Sequence, residues 1–182
     1  DAVCEPHVEK HPYLPQQRRG LMAEGWRDDM VDVRFAEQAE EFIDETSRKH
    51  PGEPFFLYLS PSAPHRPCVP PEFMRGKSDG GLREDMVQLV DWVVGRVLAR
   101  LEKNGILENT LVVVTSDNGA RLTNFDGKDY GHKPNGDLKG GKGDIYDGGH
   151  REPFVAMWPR LIPPGITSDE LLGLSDLFAT CA

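Results

Sequence analysis

The chain has 182 residues, of which 38% are hydrophobic and 28% charged, a composition typical of a globular protein with a buried core. Its 30 acidic residues outnumber its 21 Lys and Arg residues, which gives a formal net charge of -9. A chain this acidic lacks the basic surface that general nucleic-acid binding requires. The sequence contains no run of about 18 apolar residues, so no membrane span is predicted. The three cysteines are widely spaced and form neither a metal-binding motif nor a disulfide framework: Cys4, Cys68 and Cys181.

The first half of the chain predicts two helices separated by an apolar segment. Residues 1–30 have no clear period and indicate loop and short helical turns. From Val33 to Lys49, apolar residues recur at three- and four-residue steps, which predicts an amphipathic helix that ends before Pro51. The segment from Pro54 to Ser60 is short, apolar and rich in aromatic residues, which favours a buried strand. After a proline-rich loop, a broad apolar face predicts a second helix from Arg83 to Lys103.

The second half completes an α/β pattern. Thr110 to Thr115 is β-branched and apolar, as is typical of a central strand. Residues 117–151 are rich in glycine and lack a period, which predicts a long loop of functional importance. A strand is predicted from Pro153 to Trp158, and a helix from Ser175 onward. The order of elements indicates an α/β fold whose first two strands are parallel and joined by a right-handed crossover.

Polar residues follow both of these strands. His65 comes after the first strand and Asp117-Asn118 after the second, so they are expected at the same sheet edge, where ligands bind in such folds. Asp117 and Asn118 both offer oxygen, the donor that Ca²⁺ or Mg²⁺ prefers, although on these residues alone an ordinary turn is the favoured interpretation. A His held between Pro64 and Pro67 can donate to an anion or act as a general acid. A single loop His is also typical of plain surface.

The glycine-rich loop contains the cationic candidates. Lys139 and Lys142 lie among glycines, without the GxxxxGK[ST] spacing of a phosphate-binding loop. A lysine between glycines can nevertheless approach an oxyanion closely. The glycines of the segment from Asp147 to Pro153 indicate a tight passage of the backbone. Arg151 in that segment is predicted to be buried or bridging, with a structural or a functional role.

Taken in this order, the motifs closely resemble those of the type I sulfatases, particularly the arylsulfatases. The resemblance covers residues 33–182, whereas residues 1–30 match only loosely. It implies a sulfatase or alkaline-phosphatase-like sheet flanked by helices. The chain would be the incomplete middle portion of a single catalytic domain, with an irregular lead-in over residues 1–32. The matching segments are Ala63–Pro67, Thr115–Gly119, Leu138–Gly143, Tyr146–Pro153, Trp158–Pro159 and Ile162–Gly165.

The resemblance implies a role for each candidate residue. Asp117 and Asn118 would be two of the calcium ligands, with Ca²⁺ favoured over Mg²⁺. Lys142 would contact the sulfate group, and His65 would bind sulfate and assist the leaving oxygen. The implied substrate is a small-molecule or carbohydrate sulfate ester, and members of the family are typically periplasmic, lysosomal or extracellular. Two further positions would support the site without reacting: Lys139 and Arg151.

The nucleophile expected of this family is missing from the sequence. The family uses a formylglycine made from the Cys or Ser of a C/S-x-P-x-R motif, and no such motif occurs here. Cys4 begins a C-x-P sequence, but Val8 stands where the arginine belongs. The family's N-terminal aspartate pair and its Lys-His pair are absent as well. The expectation is therefore a fragment that is catalytically silent alone and binds metal weakly, since calcium takes about 6–8 oxygen ligands.

Two other functions stay open. Phosphoesterases of the wider alkaline-phosphatase-like group use a similar sheet, but they add Asp and His ligands that are not found near Asp117. A noncatalytic binding or assembly module would keep the scaffold without the nucleophile. The sheet edge left exposed by a missing N-terminal half would favour self-association with another chain.

Overall fold

The computed structural model describes residues 2–4, 20–66, 68–123 and 128–182. Two short strands, β1 (Ala2–Cys4) and β2 (Gly20–Met22), pair in antiparallel orientation. The prediction of loop and helical turns for residues 1–30 is wrong for these strands, because three-residue strands are too short to show a period of two. A 3-10 turn, Asp28–Met30, then leads into the first long helix.

Two helices form the centre of the described chain. Helix α1 spans Val31–Lys49 and helix α2 spans Leu82–Lys103, close to their predicted bounds. The two helices pack against each other. Their buried apolar residues recur at the three- and four-residue steps that place side chains on one helical face. These residues are Val33, Ala36, Ala39 and Ile43 in α1, and Met86, Leu89, Val93 and Leu101 in α2.

The proline-rich loop closes the core on one side of α2. Ala63, Cys68 and Met74 pack there with Met86 and Leu89. Met74 ends a 3-10 turn, Glu72–Met74. Burial raises the pKa of the Cys68 thiol to about 11, so the thiol stays protonated at neutral pH. Cys68 is therefore a packing group of the core and not a nucleophile.

The segment from Pro54 to Ser60 is not a buried strand, contrary to its prediction. Its backbone has no strand partner within the described residues, so the predicted parallel crossover is not formed there either. Phe55 packs edge to face on Phe42 of α1, with ring centroids 5.7 Å apart. Phe56 and Tyr58 lie on the opposite side of the segment from the partly buried Phe55, and they are 69% and 79% exposed. The apolar run thus covers α1 with one face only.

The strands that follow α2 agree with their predicted positions. A 3-10 turn, Leu107–Asn109, precedes β3 (Val112–Thr115), which pairs in antiparallel orientation with β4 (Phe154–Met157). The intervening glycine-rich loop contains a one-turn helix, α3 (Asp147–His150), that the sequence did not predict because two glycines form its centre.

The chain ends in a short helix, α4 (Asp176–Cys181), close to its predicted start. Helices flanking antiparallel strands make this an incomplete α/β arrangement, as predicted. None of the helices described is both long and apolar enough to cross a membrane.

Candidate functional site

A buried carboxylate from α1 anchors the loop that contains His65. Asp32 is only 2% exposed. Its carboxylate accepts hydrogen bonds from the Ser62 N–H at 2.5 Å, the Ser62 hydroxyl at 3.0 Å and the Ala63 N–H at 3.1 Å. Hydrogen bonds to a carboxylate are stronger than neutral ones, so they hold this loop firmly. Asp32 was not predicted from the sequence, where its only signal is an acidic residue in phase with the buried face of a helix.

His65 lies on the turn that Asp32 holds. The His65 N–H donates to the Ser62 carbonyl at 2.9 Å, which closes the turn. The imidazole is exposed, and its Nδ1 lies 2.8 Å from the Arg66 carbonyl. A carbonyl oxygen can only accept, so Nδ1 is the donor in this contact and Nε2 is left for a ligand. Pro64 precedes His65 as predicted, and Pro67 lies outside the described residues.

Backbone hydrogen bonds bring the Asp117-Asn118 turn and Lys142 together. The Gly119 N–H donates to the Gly149 carbonyl at 2.9 Å, and the Lys142 N–H donates to the Ala120 carbonyl at 3.0 Å. Lys142 is therefore bonded directly to the residue that follows Gly119. Because the Lys142 side chain is exposed, its ammonium group is open to a ligand beside this turn.

Four glycines make this close crossing of backbones possible. A Cβ atom at Gly119 would lie 1.9 Å from the Gly148 carbonyl oxygen, and one at Gly148 would lie 2.1 Å from the Gly140 oxygen. The corresponding distances are 2.6 Å at Gly141 and 2.1 Å at Gly149, again to backbone oxygens. No other residue type fits at these positions without moving the main chain. The tight backbone passage predicted from the sequence is confirmed.

The side-chain amide of Asn135 joins three segments of the crossing. Its Oδ1 accepts from the Ala120 N–H at 3.1 Å, and its Nδ2 lies 3.3 Å from the Ala120 carbonyl. Nδ2 also donates to the carbonyls of Gly140 at 3.0 Å and Gly148 at 2.8 Å. Asn135 was not predicted from the sequence, because an Asn before a Gly is typical of an ordinary turn.

The two predicted supporting residues differ in their surroundings: Lys139 and Arg151. Lys139 Nζ lies 3.7 Å from the centroid of the Tyr146 ring, a cation–π contact that supports a structural role. Arg151 is exposed, so its prediction as a buried group is wrong, whereas a bridging role stays a prediction. Successive side chains of an extended backbone point to opposite sides, and it is Glu152 that turns inward.

The carboxyl group of Glu152 lies in an unusual environment. Its Oε1 is buried without a hydrogen-bond partner among the residues described. Burial raises the pKa of this carboxyl group, and the negative charge of Asp117 raises it further. Asp117 and Glu152 therefore lie close enough to repel each other, at the start of the glycine-rich loop and at its end.

The donor set of Asp117 and Asn118 fits a hard cation incompletely. The Asn118 Nδ2 lies 3.3 Å from the Gly119 carbonyl, which leaves its Oδ1 for a ligand, and the Asp117 carboxylate is exposed. In the part of the chain that the structure describes, no three His, Cys, Asp or Glu side chains converge on a metal position. Calcium takes about 6–8 oxygens. These two residues would hold calcium only together with ligands from elsewhere.

Arg83, at the start of α2, bonds to the loop that follows the Asp117-Asn118 turn. Its Nη1 donates to the Arg121 carbonyl at 2.6 Å. Its positive charge lowers the pKa of the Cys68 thiol, against the larger effect of burial, which raises that pKa. Arg121 and Lys142 border the same cavity of about 330 Å³. The described contacts thus link the His65 loop and the Lys142 loop through α2. That His65 lies at the same edge as Asp117-Asn118 stays a prediction.

The chain is similar to known sulfatases along nearly its whole length. It matches the family model described as Sulfatase over residues 2–182. It is 33% identical to the N-acetylgalactosamine-6-O-sulfatase of Bacteroides thetaiotaomicron, over 86% of this chain and 31% of that protein. It is 39% identical to the steryl-sulfatase of Rattus norvegicus, over 82% of this chain and 25% of that protein.

Solved structures show the same similarity in three dimensions. The PsFucS1 sulfatase from Pseudoalteromonas sp. superposes with a TM-score of 0.75 at 30% identity, over 90% of this chain and 32% of that one. Ps i-CgsB, solved in complex with k-i-k-neocarrahexaose, superposes with a TM-score of 0.64 at 33% identity, over 74% and 29%. The chain spans about a third or less of the relatives it matches. It belongs to the sulfatase family.

Proposed function

We propose that this chain forms the calcium- and sulfate-binding segment of a sulfuric ester hydrolase. The observation that carries the proposal is the backbone crossing, where the Lys142 N–H donates to the Ala120 carbonyl just after the Asp117-Asn118 turn. The backbone segments that carry the oxygen donors for a cation and the lysine for an anion thereby lie next to each other. In a chain with a net charge of -9, sulfate binding depends on such a local cationic group.

The proposed residues have different tasks at the substrate. Lys142 binds a sulfate oxygen and offsets the negative charge that grows as the ester bond breaks. With both ring nitrogens protonated, His65 donates a hydrogen bond to the sulfate group through Nε2 and gives that proton to the leaving alcohol oxygen, which leaves the ring neutral. Asp117 and Asn118 would supply two oxygen ligands to calcium, which would hold and polarise the sulfate group. The formylglycine nucleophile of the family is not encoded in these 182 residues, and we propose that it lies in another part of the full-length enzyme.

Carbohydrate sulfate esters are the proposed substrates. One relative is named for a 6-O-sulfate of N-acetylgalactosamine, and one structural neighbour was solved with a neocarrahexaose bound. The cavity beside Lys142 is open and is lined mostly by polar and charged residues, which suits a sugar better than an apolar ligand.

The test compares sulfate and phosphate esters on the longest natural polypeptide that contains this segment. We expect hydrolysis of an aryl sulfate in preference to the matching aryl phosphate, and loss of that activity when calcium is chelated. Lys142→Ala is expected to lower kcat/KM by about 10²-fold or more, because a charge-stabilising donor is removed. Lys133→Ala is the matched control, since Lys133 is an exposed lysine of the same loop that faces Asp137 at 3.6 Å.

Each outcome of this assay separates the candidate functions. Preference for phosphate would move the protein to the phosphoesterase branch. Turnover of neither ester would favour a noncatalytic scaffold. The 182-residue chain alone is expected to be silent in the same assay, and turnover by the pure chain would contradict this.

Self-association of the isolated chain is a separate proposal. Among the residues described, β3 and β4 pair only with each other, so each strand keeps one unpaired edge. Val155 of β4 is 63% exposed, and an open apolar edge favours pairing with another copy. Sedimentation velocity should show an oligomer that weakens with dilution and with Val155→Lys. A clean monomer at all concentrations would remove this proposal.

A further inference from the structure

We infer that Asn135 is a positioning residue that sets the separation between the Asp117-Asn118 turn and Lys142. This inference rests on the proposed function, because the separation matters for turnover only if both groups act on one substrate. Asn135 itself lies in the loop between these two elements, 17 residues after Asn118 and seven residues before Lys142. The hydrogen bonds that its side-chain amide makes among the described residues all go to backbone groups, so it acts through the backbone.

The amide of Asn135 pairs with Ala120 much as a neighbouring strand would. It accepts from the Ala120 N–H at 3.1 Å and approaches the Ala120 carbonyl at 3.3 Å. The Ala120 carbonyl also accepts the Lys142 N–H at 3.0 Å. Ala120 is therefore held between Asn135 on one side and the Lys142 backbone on the other, two residues beyond Asn118.

The same amide nitrogen closes the other side of the crossing. Nδ2 donates to the carbonyls of Gly148 and Gly140 at 2.8 and 3.0 Å. Gly148 is buried, so its carbonyl has little access to water as a replacement donor. A buried carbonyl that loses its donor is energetically costly, which favours a shift of the segment.

The residue type at position 135 follows from these contacts. An amide is the only side-chain group of this length that both accepts one hydrogen bond and donates two. Aspartate has the same shape but donates none when ionised. Asn135→Asp would therefore keep the acceptor for the Ala120 N–H and place a negative charge against the carbonyls of Ala120, Gly140 and Gly148.

The activity test is a double-mutant cycle on the longest natural polypeptide that contains this segment. Asn135→Asp is expected to lower kcat/KM by about 10- to 100-fold, since a small misplacement of reacting groups has effects of this size. In the Lys142→Ala background the same change should lower kcat/KM by less than about threefold. A residue that only stabilised the fold would reduce activity by the same factor in both backgrounds, and that result would overturn the inference.

A structural test does not depend on activity, so it separates failure of this inference from failure of the proposed function. Hydrogen exchange followed by mass spectrometry on Asn135→Asp should show faster uptake in residues 117–123 and 138–150. Uptake in α1 and α2 should stay unchanged. Asn109→Asp is the matched control, because it makes the same chemical change at an exposed position. Uptake equal to the control in both loop segments would overturn the inference.

A second variant covers the case in which Asn135→Asp unfolds the whole protein. Asn135→Ser removes the amide without adding charge, and its hydroxyl is too short to reach all three carbonyls. It should show the same regional rise in uptake with α2 still protected. Wild-type uptake in both segments of this variant would also overturn the inference.

Discussion

Gly119→Ala is expected to force the Asp117-Asn118 turn away from the Lys142 segment and to abolish the proposed site. The added Cβ would lie 1.9 Å from the Gly148 carbonyl oxygen, 2.7 Å from its carbon and 2.9 Å from the Gly149 Cα. All three atoms belong to the backbone, so no change of rotamer relieves the overlap. Overpacking of this kind costs about 1–3 kcal/mol, and loss of the Gly119 N–H bond to Gly149 adds about 1 kcal/mol.

Urea denaturation followed by circular dichroism, together with limited proteolysis of residues 117–150, measures this effect. Gly95→Ala is the matched control, because Gly95 lies within α2 and a Cβ there meets nothing within 4 Å. Alanine in a helix is favoured over glycine by about 1 kcal/mol, so the control should be more stable than the wild type. If Gly119→Ala matched Gly95→Ala in stability and protease resistance, the crossing would not be as tight as described.

Arg100→Met is expected to lower the free energy of unfolding by about 1.5–3 kcal/mol at neutral pH. Arg100 joins α2 to α1 through two carboxylates: its Nη2 contacts Glu40 at 2.5 Å and its Nη1 contacts Asp44 at 2.7 Å. Glu40 is 7% exposed and is also bonded by Arg96. Removing Arg100 leaves the buried Glu40 charge with Arg96 as its remaining cationic partner. Met has a similar length, so the loss is one of charge more than of packing.

The pH dependence of this effect follows from the pKa of Glu40. The hydrogen bond from Arg96 lowers that pKa most, burial opposes it, and the hydrogen bond from Arg100 lowers it further. A carboxyl group whose pKa is lower in the folded state stabilises the fold above its unfolded pKa. This stabilisation is lost as the pH falls through the folded pKa. The gap between wild type and Arg100→Met should therefore be full at about pH 7 and shrink toward about pH 3.

Urea titrations of both proteins at the two pH values measure this gap. Arg48→Met is the control, since Arg48 is exposed at the rim of the same groove between the helices. An exposed arginine contributes about 0–1 kcal/mol. Equal destabilisation by the two substitutions would contradict the prediction. So would a gap for Arg100→Met that stays constant down to about pH 3.

The two long helices were predictable because each buries one face of regular period against the other. Val33 to Ile43 in α1 and Met86 to Leu101 in α2 follow that period. The prediction for the segment from Pro54 to Ser60 was wrong, because an apolar run indicates that a segment tends to be buried but not which of its faces is covered. Phe55 packs on α1, whereas Phe56 is exposed. A strand also needs a hydrogen-bonded partner, and local sequence does not contain that information.

The family and the candidate residues could be predicted from the sequence, because the proposed chemistry of Asp117, Asn118 and Lys142 depends on residue type and order along the chain. Only the tertiary structure showed that Asn135 and the four glycines bring these motifs together. The contacts that do so are hydrogen bonds between segments far apart in sequence, which no local period encodes. Asp32 is the same kind of case, since its carboxylate holds a turn 30 residues further along the chain. Contacts over such separations form only when the chain has folded. The geometry of the site depends on them, so it could not be predicted from local sequence.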